Sequence, residues 1–215
     1  NQIIYLQVFK NGRVIQTIKF ITDPSIERTV GNIIIIVNNI NNLNELQKPI
    51  VMRSQYFSTF ILDYKKDLTE IVNFLKKMSK DFLFRIDIKE VEVEEEYGIS
   101  LKMDSTKLRR MLLRIIRNNE NVKGFFVTFE KYDENFHKML SNEIRKLSKK
   151  MILKSNIKEI IMEDNNKNNF SDILNEANLK GSCICLIDIS KNNIELLFDE
   201  LKKNQKLGYR FVSLP

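Results

Sequence analysis

Short apolar segments alternate with amphipathic segments from Gly31 onward, and this alternation is the strongest constraint on the fold. The first apolar segment, residues 33–37, is an unbroken run of branched aliphatic side chains, which is typical of a strand buried on both faces of a sheet. Apolar residues recur at helical spacing in residues 67–79, and again after Asp104 or Ser105, either of which can cap a helix. Because parallel strands are joined by crossover helices, the pattern predicts an α/β domain with a largely parallel sheet, open or closed into a barrel.

The remaining segments continue this alternation to the end of the chain. We predict strands at residues 50–53, 82–88, 122–129, 151–153, 182–189 and 209–215, and helices at residues 133–149, 170–179 and 192–203. Gly181 is placed to end the helix at residues 170–179. Residues 157–164 fit both a strand and a helix, and their structure stays open at this stage.

The first residues of the chain have a different pattern. Residues 3–9 and 13–21 are strand-like, and Asn11 and Gly12 between them supply the positive φ angles that a tight hairpin needs. Pro24 then interrupts the pattern. We predict an N-terminal hairpin extension over residues 1–30 and one α/β domain over residues 31–215, because no low-complexity linker or internal repeat divides the rest.

The formal net charge of the 215-residue chain is +7 at pH 7. This charge is compatible with a polyanionic partner such as nucleic acid or an acidic glycan, but the basic residues are spread along the sequence. The densest group lies on one predicted helix, where a solvated face is the simpler interpretation. Its members are Lys107, Arg109, Arg110, Arg114 and Arg117. A nucleic-acid partner is therefore not expected.

No segment approaches the roughly 18 consecutive apolar residues that a membrane-spanning helix needs, so we expect no membrane span. The sequence begins at Asn1 and not at Met, which we interpret as the loss of an upstream segment. An export signal or a membrane anchor would fit that interpretation, and either would place the protein at the cell envelope.

Residues that commonly bind metals or carry out catalysis are sparse. His137 is the only histidine, which excludes a histidine-rich zinc site. The acidic run at residues 90–96 could bind a hard cation, but alternating Glu and Val more often marks the solvated face of a strand. Cys183 and Cys185 lie in a predicted strand, and we expect their side chains to be buried on opposite faces without a mutual disulfide. The sequence contains no phosphate-binding loop, dinucleotide fingerprint or nucleophile elbow.

Four segments at predicted strand ends match one family pattern in order and spacing. IIIIVNNINNL, residues 33–43, matches an opening strand that ends in an acid pair, with Asn38 and Asn39 at that pair. FRIDIKE places Arg85, GFFVTFE places Thr128 or a neighbour, and GSCICLID places Asp188 at the family's histidines. A helix and YRFVSLP then follow, also as in the family. Over residues 31–215 the chain resembles the divergent polysaccharide deacetylases, relatives of the carbohydrate esterases with a distorted (β/α) barrel.

This resemblance implies a barrel that has lost its chemistry. In the family, one acid acts as general base, and the other acid and the histidines hold a metal that activates water. Asparagine neither accepts a proton near neutral pH nor binds a metal strongly. The resemblance therefore implies a pseudoenzyme with no catalytic residue, metal or cofactor. It also implies a residual cleft around Asn38, Asn39, Arg85, Thr128 and Asp188. The protein would use that cleft to bind or scaffold a glycan or a partner protein at the cell envelope, within carbohydrate metabolism. The alternative is that polar side chains simply fill the former active site.

Two other interpretations stay open at this stage. An active carbohydrate amide or ester hydrolase could hold calcium or magnesium through Asp87, Asp188 and the acidic run at residues 90–96. A basic nucleic-acid-binding domain would present a contiguous positive surface, and its binding would weaken steeply with salt. The sequence alone identifies neither the ligand nor the oligomeric state. The side chains at the carboxyl ends of the strands distinguish these interpretations.

Overall fold

The computed structural model describes residues 3–21, 30–91, 98–117, 119, 121–162 and 169–215. The strands are β1 (Ile3–Lys10), β2 (Arg13–Ile21), β3 (Asn32–Asn38), β4 (Thr59–Leu62), β5 (Asp81–Lys89), β6 (Ile99–Ser100), β7 (Gly124–Phe129), β8 (Lys150–Leu153), β9 (Lys158–Ile160), β10 (Ser182–Asp188) and β11 (Arg210–Phe211). The helices are α1 (Gln47–Arg53), α2 (Thr69–Lys77), α3 (Ser105–Ile116), α4 (Glu134–Lys146), α5 (Phe170–Lys180) and α6 (Ile194–Lys206). Across these ranges, each helix is too short or too polar to cross a bilayer.

The strands form two sheets. β1 and β2 pair antiparallel around a turn in which Asn11 and Gly12 have φ angles of 52° and 74°, so the predicted hairpin is confirmed. The larger sheet has the order β8-β7-β5-β4-β3-β10-β9, with β6 beside β5 and β11 beside β3, and all of its pairs are parallel. It curls into a half-barrel. Pairing between the described residues does not join β8 to β9. The predicted α/β class and parallel sheet are confirmed.

The larger sheet is apolar on both faces. Along β3, Ile33, Ile35 and Val37 pack with the helices in the main core. Ile36 points to the opposite face because successive side chains of a strand alternate. There it joins a smaller cluster contributed by one residue from each of the central strands: Ile36, Ile61, Leu83, Phe126 and Leu186. The aliphatic run of β3 is therefore required on both faces, and the smaller cluster fills the inner side of the half-barrel.

The segment between β3 and α2 differs from the prediction. Residues 50–53 belong to helix α1 and not to a strand, and the missing strand is β4 (Thr59–Leu62). The Asn44 side chain accepts a hydrogen bond from the Gln47 amide at 2.8 Å and so supplies a cap at the start of the helix. Pro49 lies in the first turn, where the missing N–H leaves no hydrogen bond unmade.

Two further details at the end of the chain differ from the sequence predictions. The last predicted strand is limited to β11 (Arg210–Phe211), although residues 209–215 were predicted. The expected orientation of the cysteines was wrong, because residues two apart in a strand share a face. Cys183 and Cys185 are both free and buried, and their Sγ atoms lie 3.6 Å apart. Residues 157–164, left open above, contain strand β9 (Lys158–Ile160).

Helices α3 and α4 are joined by a buried carboxylate. The Glu143 side chain on α4 is 3% exposed. Its Oε1 atom accepts hydrogen bonds from Lys146 Nζ at 2.6 Å and from Ser105 Oγ, in the first turn of α3, at 3.0 Å. These bonds, that of Lys146 foremost, hold the pKa of Glu143 below its ordinary value, although burial acts in the opposite direction. The ionised side chain therefore stabilises the folded chain.

We expect Glu143→Gln to lower the free energy of unfolding by about 1–3 kcal/mol at neutral pH, because an ionised acceptor is lost from a buried contact. A carboxyl whose folded pKa is depressed stabilises the fold above its unfolded pKa, and this stabilisation is lost as the pH falls through the folded pKa. The difference in the free energy of unfolding between wild type and variant should therefore narrow below pH 4.5, which is the ordinary pKa of a glutamate. Urea denaturation at several pH values measures this difference.

The matched control is Glu134→Gln, on an exposed face of the same helix, where the Glu134 side chain is 69% exposed. That variant should change the free energy of unfolding by less than about 0.5 kcal/mol at every pH. A difference for Glu143→Gln that stayed constant with pH would contradict the role given to its charge.

Candidate functional site

Polar side chains stand at the carboxyl ends of four strands of the half-barrel. Asn38 ends β3, Arg85 and Asp87 lie in the second half of β5, Thr128 lies near the end of β7, and Asp188 ends β10. The carboxyl ends of parallel strands meet at one edge of a sheet, which is where α/β folds usually bind ligands. The structure therefore brings together Asn38, Asn39, Arg85, Thr128 and Asp188, the five residues singled out from the sequence.

The inner face of β5 changes from apolar to polar along its length. Leu83 belongs to the small inner cluster, and the next residues on the same face are Arg85 and Asp87. The parallel register places Arg85 beside Phe126 and Asp87 beside Thr128 on β7. The inner apolar cluster is therefore a floor, and the polar residues form a layer between that floor and the open edge.

A cleft of about 390 Å³ opens at this edge, mainly between the ends of β3, β4 and β5. It is lined by Asn38, Asn39, Ile40, Asn41, Asn42, Ile61, Asp63, Tyr64, Lys65, Lys66, Arg85, Asp87, Lys89 and Gly98. Asn38, Asn39 and Arg85 of the predicted set are in this lining. Thr128 and Asp188 are not, but each is hydrogen-bonded to a residue that is: Thr128 to Asp87, and Asp188 to Asn39.

Arg85, Asp87 and Thr128 form one polar group on the inner face. Arg85 Nε lies 3.1 Å from Asp87 Oδ1, and the Thr128 hydroxyl donates a hydrogen bond to the same oxygen. The Arg85 and Asp87 side chains are 37% and 47% exposed. An ion pair this open to water contributes little to stability, typically less than about 1 kcal/mol. Its charged groups are accessible to a molecule in the cleft.

Asp188 is the centre of a second, buried polar group. Its Oδ2 atom accepts a hydrogen bond from Asn39 Nδ2 at 2.7 Å and lies 3.5 Å from Lys191 Nζ. Its Oδ1 atom accepts from Ser190, from the hydroxyl at 2.7 Å and from the backbone amide at 3.2 Å. The residue is 4% exposed, so this carboxylate holds the surrounding loops and is not open to solvent.

The backbone at Asn39 explains why an amide stands there. Its φ angle of 58° lies in the left-handed region, which asparagine tolerates better than most residues with a side chain. This conformation turns the chain out of β3 into a short helical turn at Ile40–Asn42, whose residues line the cleft. The Asn39 amide then donates to Asp188. The pair Asn39–Asp188 thus fixes one wall of the cleft.

The metal-binding alternative is not supported where the structure can test it. Within the described ranges, no group of three or more His, Cys, Asp and Glu side chains could hold a metal ion. Asp87 and Asp188 therefore do not converge with a third such ligand among those residues. Most of the acidic run at residues 90–96 lies outside the described residues. The His137 ring is instead in contact with the Tyr132 hydroxyl, 3.1 Å from Nδ1.

Several residues of the cleft were not predicted from the sequence. Asp63, Lys65 and Lys66 follow β4, and they were not considered because that strand was not predicted. Ser190, which holds Asp188, was missed as well. A signal was present for the first group: the apolar segment FIL, at residues 60–62, is followed directly by Asp63.

Comparisons with known proteins indicate the fold and no family. No protein family and no curated protein matches the sequence. An uncharacterized protein from Agrobacterium tumefaciens C58, ATU2773, superposes with a TM-score of 0.64 over 86% of this chain and 87% of its own, at 10% identity. PipY of Synechococcus elongatus, a COG0325 family member solved without PLP, covers 76% of this chain and 93% of its own at 10% identity. Its TM-score of 0.29 is too low to indicate a common fold.

These comparisons correct the assignment to the divergent polysaccharide deacetylases. No family model matches the sequence, and the structure that superposes over most of the chain is described only as an uncharacterized protein. The resemblance depended on the order of apolar strands and helices, which many unrelated α/β proteins share, and on none of the family's acids or histidines. The chain is therefore not placed in that family. The degenerate-deacetylase role, its carbohydrate metabolism and its scaffold function at the envelope are withdrawn with it.

The hydrogen bonds that Asp188 accepts from Asn39 and Ser190 predict an effect on stability. We expect Asp188→Ala to lower the free energy of unfolding by about 2–4 kcal/mol, because it leaves the Asn39 amide and the Ser190 hydroxyl without their acceptor. Asp188→Asn keeps one acceptor oxygen and should cost less. Chemical denaturation measures both. Asp199→Ala, on an exposed part of α6, is the control and should change the value by less than about 0.5 kcal/mol. If Asp188→Ala lowered the free energy of unfolding by no more than this control, the stabilising role of the Asp188 hydrogen bonds would be contradicted.

Proposed function

We propose that this chain binds a small anionic molecule, one that carries a carboxylate or a phosphate, in the cleft at the carboxyl ends of β3, β4 and β5. The observation that carries the proposal is the position of Arg85. Its side chain lies on the inner face, directly beyond the apolar floor at Leu83, and is 37% exposed in the cleft. An arginine so placed is suited to a planar anion, because its guanidinium group can donate two parallel hydrogen bonds.

The charges around the cleft support an anion over a cation. Four basic side chains line it, against two carboxylates, those of Asp63 and Asp87. The basic residues are Lys65, Lys66, Arg85 and Lys89. A concave site with an excess of one charge concentrates ligands of the opposite charge. Asp87 Oδ1 already accepts from both Arg85 and Thr128, and an incoming anion would compete with that exposed carboxylate for the guanidinium group.

The rest of the lining supports a polar molecule of modest size. The volume of about 390 Å³ lies within the range of roughly 300–1,000 Å³ that is usual for small-molecule sites. Amides from Asn38, Asn39, Asn41 and Asn42 offer both donors and acceptors along one wall. Ile61 at the base gives a small apolar contact. Three of the five residues predicted from the sequence have a defined role in this proposal: Arg85 binds the anion, and Asn39 and Asp188 position the wall.

Thermal unfolding with simple anions tests the proposal. Inorganic phosphate and citrate should raise the melting temperature in a concentration-dependent way, because a ligand that binds only the folded state stabilises it. Glucose at the same concentrations should not. Arg85→Met keeps the length and the apolar part of the side chain, and should weaken the anion effect by about 10- to 100-fold in apparent affinity.

The matched control is Arg110→Met, at an exposed position on α3, which should respond to the anions as wild type does. An anion response that persists unchanged in Arg85→Met would place binding elsewhere. No response to either anion in wild type would reject the proposed ligand class.

A further inference from the structure

The N-terminal hairpin exposes an unusual amount of apolar surface. Phe9 and Ile15 are each 60% exposed. Large apolar side chains are exposed along both of its strands: Tyr5, Leu6, Val8, Phe9, Val14, Ile15 and Phe20. Single exposed apolar residues are ordinary, but a contiguous group of this size marks a surface that contacts a partner or a membrane.

The apolar residues lie on both faces of the hairpin. The antiparallel register pairs Leu6 with Ile18, so that Val8 and Phe20, each two residues along, lie on the same face. Tyr5 and Phe9 point to the other face, where Val14 is the partner of Phe9. A groove or a stacked sheet on a protein partner covers one face only. An environment that contacts both faces of the two-stranded hairpin accounts better for apolar side chains on both of them.

The hairpin also lacks a third strand among the described residues. β1 and β2 pair with each other, and no other strand among the described residues pairs with either. A lone two-stranded hairpin is marginally stable in water, and it usually needs a third strand or a packed face. The hairpin therefore gains stability from whatever covers it.

The charges of the hairpin indicate which kind of partner covers it. Residues 1–21 contain Lys10, Arg13 and Lys19 and no Asp or Glu. Two hairpins from two copies of the chain would bring like charges together, which disfavours self-association. An anionic surface is complementary instead. Cationic side chains interspersed with Tyr, Phe and branched aliphatic residues are the combination that binds the interface of an anionic bilayer.

We propose that the β1–β2 hairpin docks the chain on the surface of an anionic phospholipid bilayer. Tyr5, Phe9 and Phe20 enter the headgroup and upper acyl region, while Lys10, Arg13 and Lys19 contact lipid phosphates. The open strand edges stay at the hydrated level of the headgroups, because an unpaired backbone is not tolerated in the hydrocarbon core. The chain is then a peripheral protein held by its hairpin. This proposal is independent of the anion cleft.

Vesicle flotation tests it on the full chain. The protein should float with vesicles of phosphatidylcholine mixed with phosphatidylserine, and much less with phosphatidylcholine alone. The triple variant Lys10→Gln, Arg13→Gln and Lys19→Gln should bind the mixed vesicles roughly 100-fold more weakly, at about 1 kcal/mol for each basic residue near the surface. The matched control replaces three exposed lysines on α6, Lys202, Lys203 and Lys206, with Gln, and should bind as wild type does.

A fluorescence experiment keeps the proposal testable even if the triple variant misfolds. The sequence has no tryptophan, so Phe9→Trp provides a single probe on the hairpin. Its emission should shift to the blue when mixed vesicles are added. Tyr132→Trp, at an exposed position outside the hairpin, should not shift.

Three outcomes would overturn the proposal. The first is equal flotation with neutral and anionic vesicles. The second is the absence of any blue shift in Phe9→Trp. The third is concentration-dependent dimerisation through the hairpin, or hairpin-dependent binding to single-stranded RNA, without binding to vesicles. The third outcome would assign the surface to a second copy or to a nucleic acid.

Discussion

Parallel pairing between β3 and β10 is the interaction on which the rest of the structure depends. Its register aligns Ile36 with Leu186 and Asp188 with Asn38, so the two strands share an apolar level and end together in polar residues. Because side chains alternate along a strand, the same register sends the intervening residues to the helices. The packing of the core and the position of the polar edge therefore follow from one alignment.

Most of the fold could be predicted because its strands and helices have different periods. β3, β5, β7 and β10 are long apolar runs, and α2, α3 and α4 carry clear helical stripes. The segment from α1 to β4 could not be predicted in this way. Ile50 and Val51 look strand-like locally, but capping by Asn44 and burial of Val51 and Met52 favour a helix there. Tertiary packing outweighs weak local propensity in such short elements.

The site was predictable only as far as the strand ends were. Asn38, Arg85 and Asp188 follow from the ends of three predicted strands, whereas Asp63, Lys65 and Lys66 depend on β4 and were missed. The family assignment failed for a different reason. The order of the strands and their apolar character reflect how a parallel sheet packs, and many unrelated α/β proteins share these features. The acids and histidines that carry out catalysis in the family are absent from the matching positions of this sequence. Function has to be argued from the geometry of the cleft.

The Asn39–Asp188 pair also limits how this edge of the sheet can change. Asn39 donates from its amide, so replacing it by Asp would set two carboxylates at hydrogen-bond distance, one of which, that of Asp188, is only 4% exposed. Two such groups cannot both stay ionised, and one would hold a proton. Replacing one nitrogen of Asn39 by oxygen would thus give this wall of the cleft a charge that depends on pH. The backbone could keep its conformation, since aspartate also accepts the left-handed region.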